Sequence, residues 1–165
     1  CGIDVNGFRT PGGFRNGLHD REDIQQMLLD LGFNWASCMY PAHQYGEPMQ
    51  EPPEAVYKDI VRAQTEAQPF VYPTGLVEIP MSPISDVGAF RSTYWKLDYF
   101  LKAIRLAVEW AIETGGVFDF LCHPSCMVVE DPEFKTIKLI CELAEQAGDR
   151  AEIVGLDKIA ARYLE

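Results

Sequence analysis

Along this chain the apolar spacing keeps switching between a period of two and a period of about 3.6, and that alternation most narrows the fold. GIDVNGF (Gly2–Phe8) reads as a strand that ends in a Gly-rich turn. Asp20 stands where a helix from about Arg21 needs a cap, with Ile24, Met27, Leu28 and Leu31 on one face and Gly32 as its stop. FNWASCMY (Phe33–Tyr40) reads as a short buried strand, and the Pro-, Gly-, His- and Tyr-rich run 41–53 as an exposed loop. A helix is expected over about 53–67, then a strand region in FVYPTGLVEIP broken by Pro73 and Gly75, then a loop over 81–92. The strongest helical spacing spans about 93–114, where Leu97, Phe100, Leu101, Ile104, Val108 and Ala111 share a face and Gly115–Gly116 stops it. It leads into VFDFLCHP, a strand ending at His123. Asp131 and Pro132 open another helix, AEIVG (Ala151–Gly155) is a last strand, and 156–164 a last helix.

Strands that alternate with helices, several almost continuously apolar, indicate parallel β/α construction, in which ligands sit at the carboxyl ends of the strands. Two polar residues mark such ends: Arg9, in GFRTPGGF after the first strand, and His123. An arginine there offers a planar fork that suits a carboxylate, and Pro11 with Gly12 and Gly13 tightens the turn so that a ligand can approach the backbone. A histidine at a strand end serves as general acid or base, or as a metal ligand; the bland alternative is a ring hydrogen-bonded to backbone. For Arg9 the bland alternative is a solvated turn residue. His43, Tyr40 and Tyr45 fall in or beside the loop 41–53, where a sugar face can stack on tyrosine, whereas Trp35 reads as core.

At 165 residues the chain holds one core, so residues 1–165 are read as a single domain. A net charge of −11, with 14 Lys and Arg, argues against nucleic acid and anionic membrane as partners, because such binding draws on clustered cations. No apolar run is long enough to span a bilayer. The five cysteines are scattered and odd in number and read as free thiols; CHPSC (Cys122–Cys126) is at most half a zinc site. The elements are too few to close a β/α barrel, and Cys1 stands where a start methionine would, so the chain is expected to be part of a longer domain, with exposed sheet edges.

FRTPGG (Phe8–Gly13) resembles the arginine-proline-glycine motif of the polysaccharide deacetylase family, the NodB-homology domain, and FLCH (Phe120–His123) resembles its late leucine-x-histidine motif. LLDLGFNWASCMYP followed by GLVEIP is similar to a subgroup with allantoinase-like members, and IVGLDKIAARYL resembles the family's closing strand and helix. The resemblance implies an α/β fold, a distorted β/α barrel lacking its N-terminal strands, and metal-dependent hydrolysis of an amide in an acetylated sugar, glycan or small molecule. It implies a divalent cation, usually zinc, and an aspartate base; His123 as the acid that protonates the leaving amine; Arg9 as the brace of the aspartate; and Leu121, Pro11 and Gly12 beside the substrate. The family's Thr-Phe-Asp-Asp and His-x-x-x-His motifs do not occur here, so Arg9's carboxylate and the metal ligands are expected outside the chain, and the chain alone is expected to be inactive. Two further readings stay open: a degenerate barrel that binds glycan without catalysis, and an open α/β domain whose Arg9 holds an anionic small molecule.

Overall fold

The computed structural model describes residues 5–164; Cys1 and the first residues of the strand expected over 2–8 lie outside them. Four strands form one open sheet in the order β1-β2-β4-β3: β1 Gly7–Phe14, β2 Trp35–Met39, β3 Phe70–Val71 and β4 Val77–Glu78. β1, β2 and β4 run parallel, and β3 returns antiparallel to β4 through a turn at Pro73–Gly75. The protein is therefore mixed α/β, with three parallel strands of which β2 and β4 lie inside the sheet and β1 at its edge.

The turn expected after the first strand is instead a bulge inside β1. Gly7, Phe8 and Arg9 pair with Trp35, Ala36 and Ser37 in step, but the next pair is Phe14 with Met39. Thr10–Gly13 are thus extruded from the ladder. Pro11 has no N–H to give to it, and the two glycines accept the distorted backbone, so the sequence makes this stretch a poor ladder and a good bulge.

The helices are α1 Glu22–Asp30, α2 Glu54–Gln64, α3 Leu97–Thr114, α4 Pro124–Glu130, α5 Lys135–Ala147 and α6 Leu156–Ala161. α3 buries Phe100, Ile104, Val108 and Ala111 of the expected face together with Ala103 and Ala107, leaves Leu97 and Leu101 half-buried at its margin, and ends at Gly115 in the left-handed region as expected. It starts later than expected. A π-helical turn, Val87–Ser92, occupies the stretch expected as loop, the Thr93 hydroxyl donates to the carbonyls of Gly88 and Ala89, and Tyr94 turns left-handed with φ 54°. Asp20 does not cap α1 either; it sits at φ 63°, and Arg21 takes the cap position. Asp131 does serve the last long helix, one turn ahead of it, by accepting the N–H groups of Lys135 and Thr136 at 2.8 and 2.7 Å.

The two strands expected late in the chain join no ladder. At Val117 the Gln68 carboxamide takes the place of a neighbouring strand: it accepts Val117 N–H at 2.8 Å and donates to Val117 C=O at 3.1 Å. The run is tied to the sheet side through Ser82 N–H, which donates to Asp119 C=O at 3.0 Å. In AEIVG, Ala151 N–H turns back to Gly148 C=O, and Val154 packs under Val77 and Ile79 with Trp35. The largest core cluster joins α2, α3 and α5 through Tyr57, Ile60, Phe100, Ile104, Leu139 and Leu143, and a smaller one lies under β2 and β3. Among the described residues no helix is long and apolar enough to cross a membrane.

Candidate functional site

Arg9 is the last residue of β1 to pair before the bulge, and its ladder partner Ser37 is also its side-chain partner. Arg9 Nε and Nη2 donate to Ser37 Oγ at 3.2 and 2.9 Å. Nη2 also donates to Asp119 Oδ2, to which Ser37 Oγ donates at 3.3 Å. Within the chain Arg9 thus has a carboxylate partner: Asp119, from the centre of VFDFLC. Asp119 is 8% exposed and Arg9 30%. Burial pushes the Asp119 carboxyl above its usual range, and the Arg9 charge and the Ser37 hydroxyl pull it back.

Four residues further along the same run, His123 is held by a second carboxylate. Its Nδ1 lies 2.9 Å from Asp86 Oδ1, and its backbone N–H donates to Asp86 Oδ2 at 2.6 Å. Asp86 also accepts Val87 N–H at 2.8 Å, so it opens the π-helical turn and fixes the histidine at once. An ionised carboxylate accepts and does not donate, so beside Asp86 the proton of the neutral ring sits on Nδ1 and Nε2 is left without a partner among the described residues. His123 is half exposed, with extended backbone (φ −116°, ψ 122°), and starts α4 with Pro124 as the first helical residue.

Phe118 and Phe120 stack on each other at 6.2 Å and face the helices. Asp119 and His123 are no more than about 13 Å apart at Cα, the reach of four extended residues. Leu121 is half-buried and His123 half exposed, while Pro11 and Gly12 stand exposed on the bulge. A methyl group added at Gly12 would meet nothing within 4 Å, whereas at Gly13 it would lie 2.5 Å from Tyr40 Cβ. The bulge is open on one glycine and sealed on the next.

Tyr40 and Tyr45 approach through their hydroxyls at 3.3 Å, beside Ser85 and Asp86, and burial pushes both phenols up, so both remain protonated donors. His43 is packed on Tyr45 at 4.2 Å with Nδ1–H donating to Gln44 C=O at 2.8 Å, and burial pushes it down; it props the loop and does not stand out from it. Trp35 covers Gly7, consistent with a core role. Burial and the Asp86 charge push the Cys122 and Cys126 thiols up, away from the thiolate form that zinc or nucleophilic chemistry needs.

Among the described residues no three His, Cys, Asp or Glu side chains gather to hold a metal ion.

Sequence reasoning missed Asp86, Asp119 and Ser37. The available signals were slight: one acid in an otherwise apolar run for Asp119, and a Ser-Asp pair ahead of a helical turn for Asp86. No family model matches the chain, and no curated protein or solved structure is found to be similar to it.

Proposed function

We propose that the chain is the C-terminal part of a distorted β/α barrel of polysaccharide deacetylase type, and that the parent protein hydrolyses a non-peptide carbon–nitrogen amide bond in carbohydrate metabolism. The observation that carries this reading is the Asp86–His123 pair. A histidine whose Nδ1–H is fixed by a buried carboxylate presents Nε2 in one orientation, as a proton donor to a departing amine must. His123 is the general acid, Asp86 orients it, and Leu121 lies toward the acyl group. Arg9 keeps the role of brace, with Asp119 as its partner. The divalent ion, zinc by the resemblance, and the residue that activates water come from outside residues 5–164. The substrate is an acetylated sugar, a glycan or a small amide.

The test is to extend the protein into the coding sequence upstream of Cys1, load it with zinc, and follow amide hydrolysis of an acetylated oligosaccharide and of a small amide. His123→Ala is expected to lower turnover by about 10² to 10⁴, the usual range for a general acid, while the variant still folds, with a melting temperature lowered by the one hydrogen bond that Asp86 loses. Equal turnover in the variant rejects the role.

A further inference from the structure

We propose that Tyr45 is a positioning residue for His123: by standing on Gly88 it fixes the π-helical turn from which Asp86 holds the imidazole. This rests on the proposed function only in taking His123 as the group that acts.

Asp86 is bound to the turn as firmly as to the histidine. The oxygen that faces His123 Nδ1 also accepts Val87 N–H at 2.8 Å, so a tilt of the first turn swings the carboxylate with it. Two residues on, Gly88 N–H donates to Ser85 Oγ at 3.3 Å, and the Thr93 hydroxyl donates to the carbonyls of Gly88 and Ala89, each at 2.9 Å. A side chain thus competes with the backbone for the turn's carbonyls, and a π-helical turn is a rare form in any case. Its geometry is set by what packs against it.

What packs against it is Tyr45, from the loop 41–53. A methyl group added at Gly88 would overlap the Tyr45 phenol. Gly88 has no positive φ to require a glycine, and glycine is poorly suited to a helical turn, so the close approach of the ring is what calls for it. The tyrosine is itself held on several sides. Trp95 Nε1 donates to Tyr45 C=O at 3.1 Å, and the two rings meet edge to face at 5.8 Å. The Tyr40 hydroxyl lies 3.3 Å from that of Tyr45, and the His43 ring packs at 4.2 Å. Met49 N–H donates to Thr93 C=O at 2.9 Å and ties the same loop to the far end of the turn. Loop, turn, Asp86 and His123 therefore form one chain of contacts, in which Tyr45 is the wedge.

The imidazole ¹⁵N shifts of His123 test this in the 165-residue chain, compared among wild type, Gly88→Ala, Tyr45→Leu and the double variant. Leu139→Ala, in the helical core, controls for lost stability alone. The wild type should show one tautomer, with the proton on Nδ1. Gly88→Ala drives the wedge out and Tyr45→Leu shortens it, and each should move the tautomer ratio toward a mixture by about tenfold or more, the worth of a hydrogen bond to a charged group. In the double variant the added methyl group fills space that the ring has left, so the ratio should return toward wild type. Leu139→Ala should lower the unfolding midpoint and leave the ring unchanged. A mixed ring in the wild type, an unchanged ring in both single variants, or a double variant no nearer wild type than the singles overturns the proposal. If Gly88→Ala does not fold, a ring that responds to Tyr45→Leu no more than to Leu139→Ala overturns it. Neither readout depends on hydrolysis. Control of the ring by Tyr45 without amidase activity in the extended protein would uphold the positioning and reject the enzyme, whereas turnover that needs His123 beside a ring indifferent to Tyr45 would do the reverse.

Discussion

Asp86 grips His123 twice, through the ring at 2.9 Å and through the backbone at 2.6 Å, so one buried carboxylate sets both where the histidine stands and which way it faces. Asp86→Asn keeps the volume but replaces one oxygen with a donor that confronts an N–H group. The variant should lose about 1.5–3 kcal/mol of stability, the range for a hydrogen bond to a charged group. Its His123 ring should shift from a single tautomer to a mixture, read from the imidazole ¹⁵N shifts. A ring spectrum identical to wild type would show that Asp86 does not control the tautomer.

The two adjacent glycines of the bulge should respond oppositely to the same change. Gly12→Ala enters open space and should stay within about 0.5 kcal/mol of wild type. Gly13→Ala drives a methyl group against Tyr40 Cβ and should cost about 1–3 kcal/mol, as overpacking does. Urea melts of the two variants side by side check this, and equal losses would mean that the bulge does not pack on Tyr40.

Asp119 gives a pH dependence with a defined sign. Burial raises its folded pKa above the unfolded value, so its proton is bound more tightly in the folded chain. The stability it contributes is fully present below the unfolded carboxylate range, near about pH 4, and is lost as the pH rises through the folded value. Asp119→Asn has no such proton. The stability of the wild type relative to this variant should therefore fall as the pH is raised from about 4 toward neutrality, measured by urea melts at each pH. A rising difference would mean that Arg9 outweighs burial.

Thiol reactivity should follow burial. Cys141 is exposed, Cys122 half-buried, and Cys38 and Cys126 buried. Cys38 is pushed up to about 12 by burial and by the Glu78 charge. Among the described cysteines, alkylation of the folded protein at mildly alkaline pH should label Cys141 first, Cys122 slowly, and Cys38 and Cys126 only after denaturation, as mapped by peptide mass spectrometry. Early labelling of Cys38 would place it outside the core.

The fold was legible where one segment carries its own signal. α3 has six apolar residues on one face and a glycine stop; four of the six are buried, two lie at the margin, and the stop survives in the structure. Arg9 and His123 were legible because a polar residue at the end of an apolar run is conspicuous. Their partners were not, since a carboxylate's role depends on what folds against it: Asp86 is 37 residues from His123, and Asp119 is 110 from Arg9. The late strands misled for a related reason. VFDFLC has the composition of a strand, but at its first residue, Val117, a glutamine side chain from just after α2 occupies the backbone hydrogen bonds. Composition reports what a segment can pair with, and the tertiary fold decides what arrives.

Those same separations set an order of assembly. Closing the loop between Arg9 and Asp119 costs about 1 kcal/mol more chain entropy than closing the one between Asp86 and His123, from the logarithm of the two lengths. The histidine pair can form as soon as α3 folds back on its own flanks, with nothing yet required of β1. The arginine clamp closes only when β1, β2 and the run after α3 have all met, so it depends on more of the chain than the histidine pair does. A ligand that needs Arg9 would therefore recognise only chains whose folding is finished.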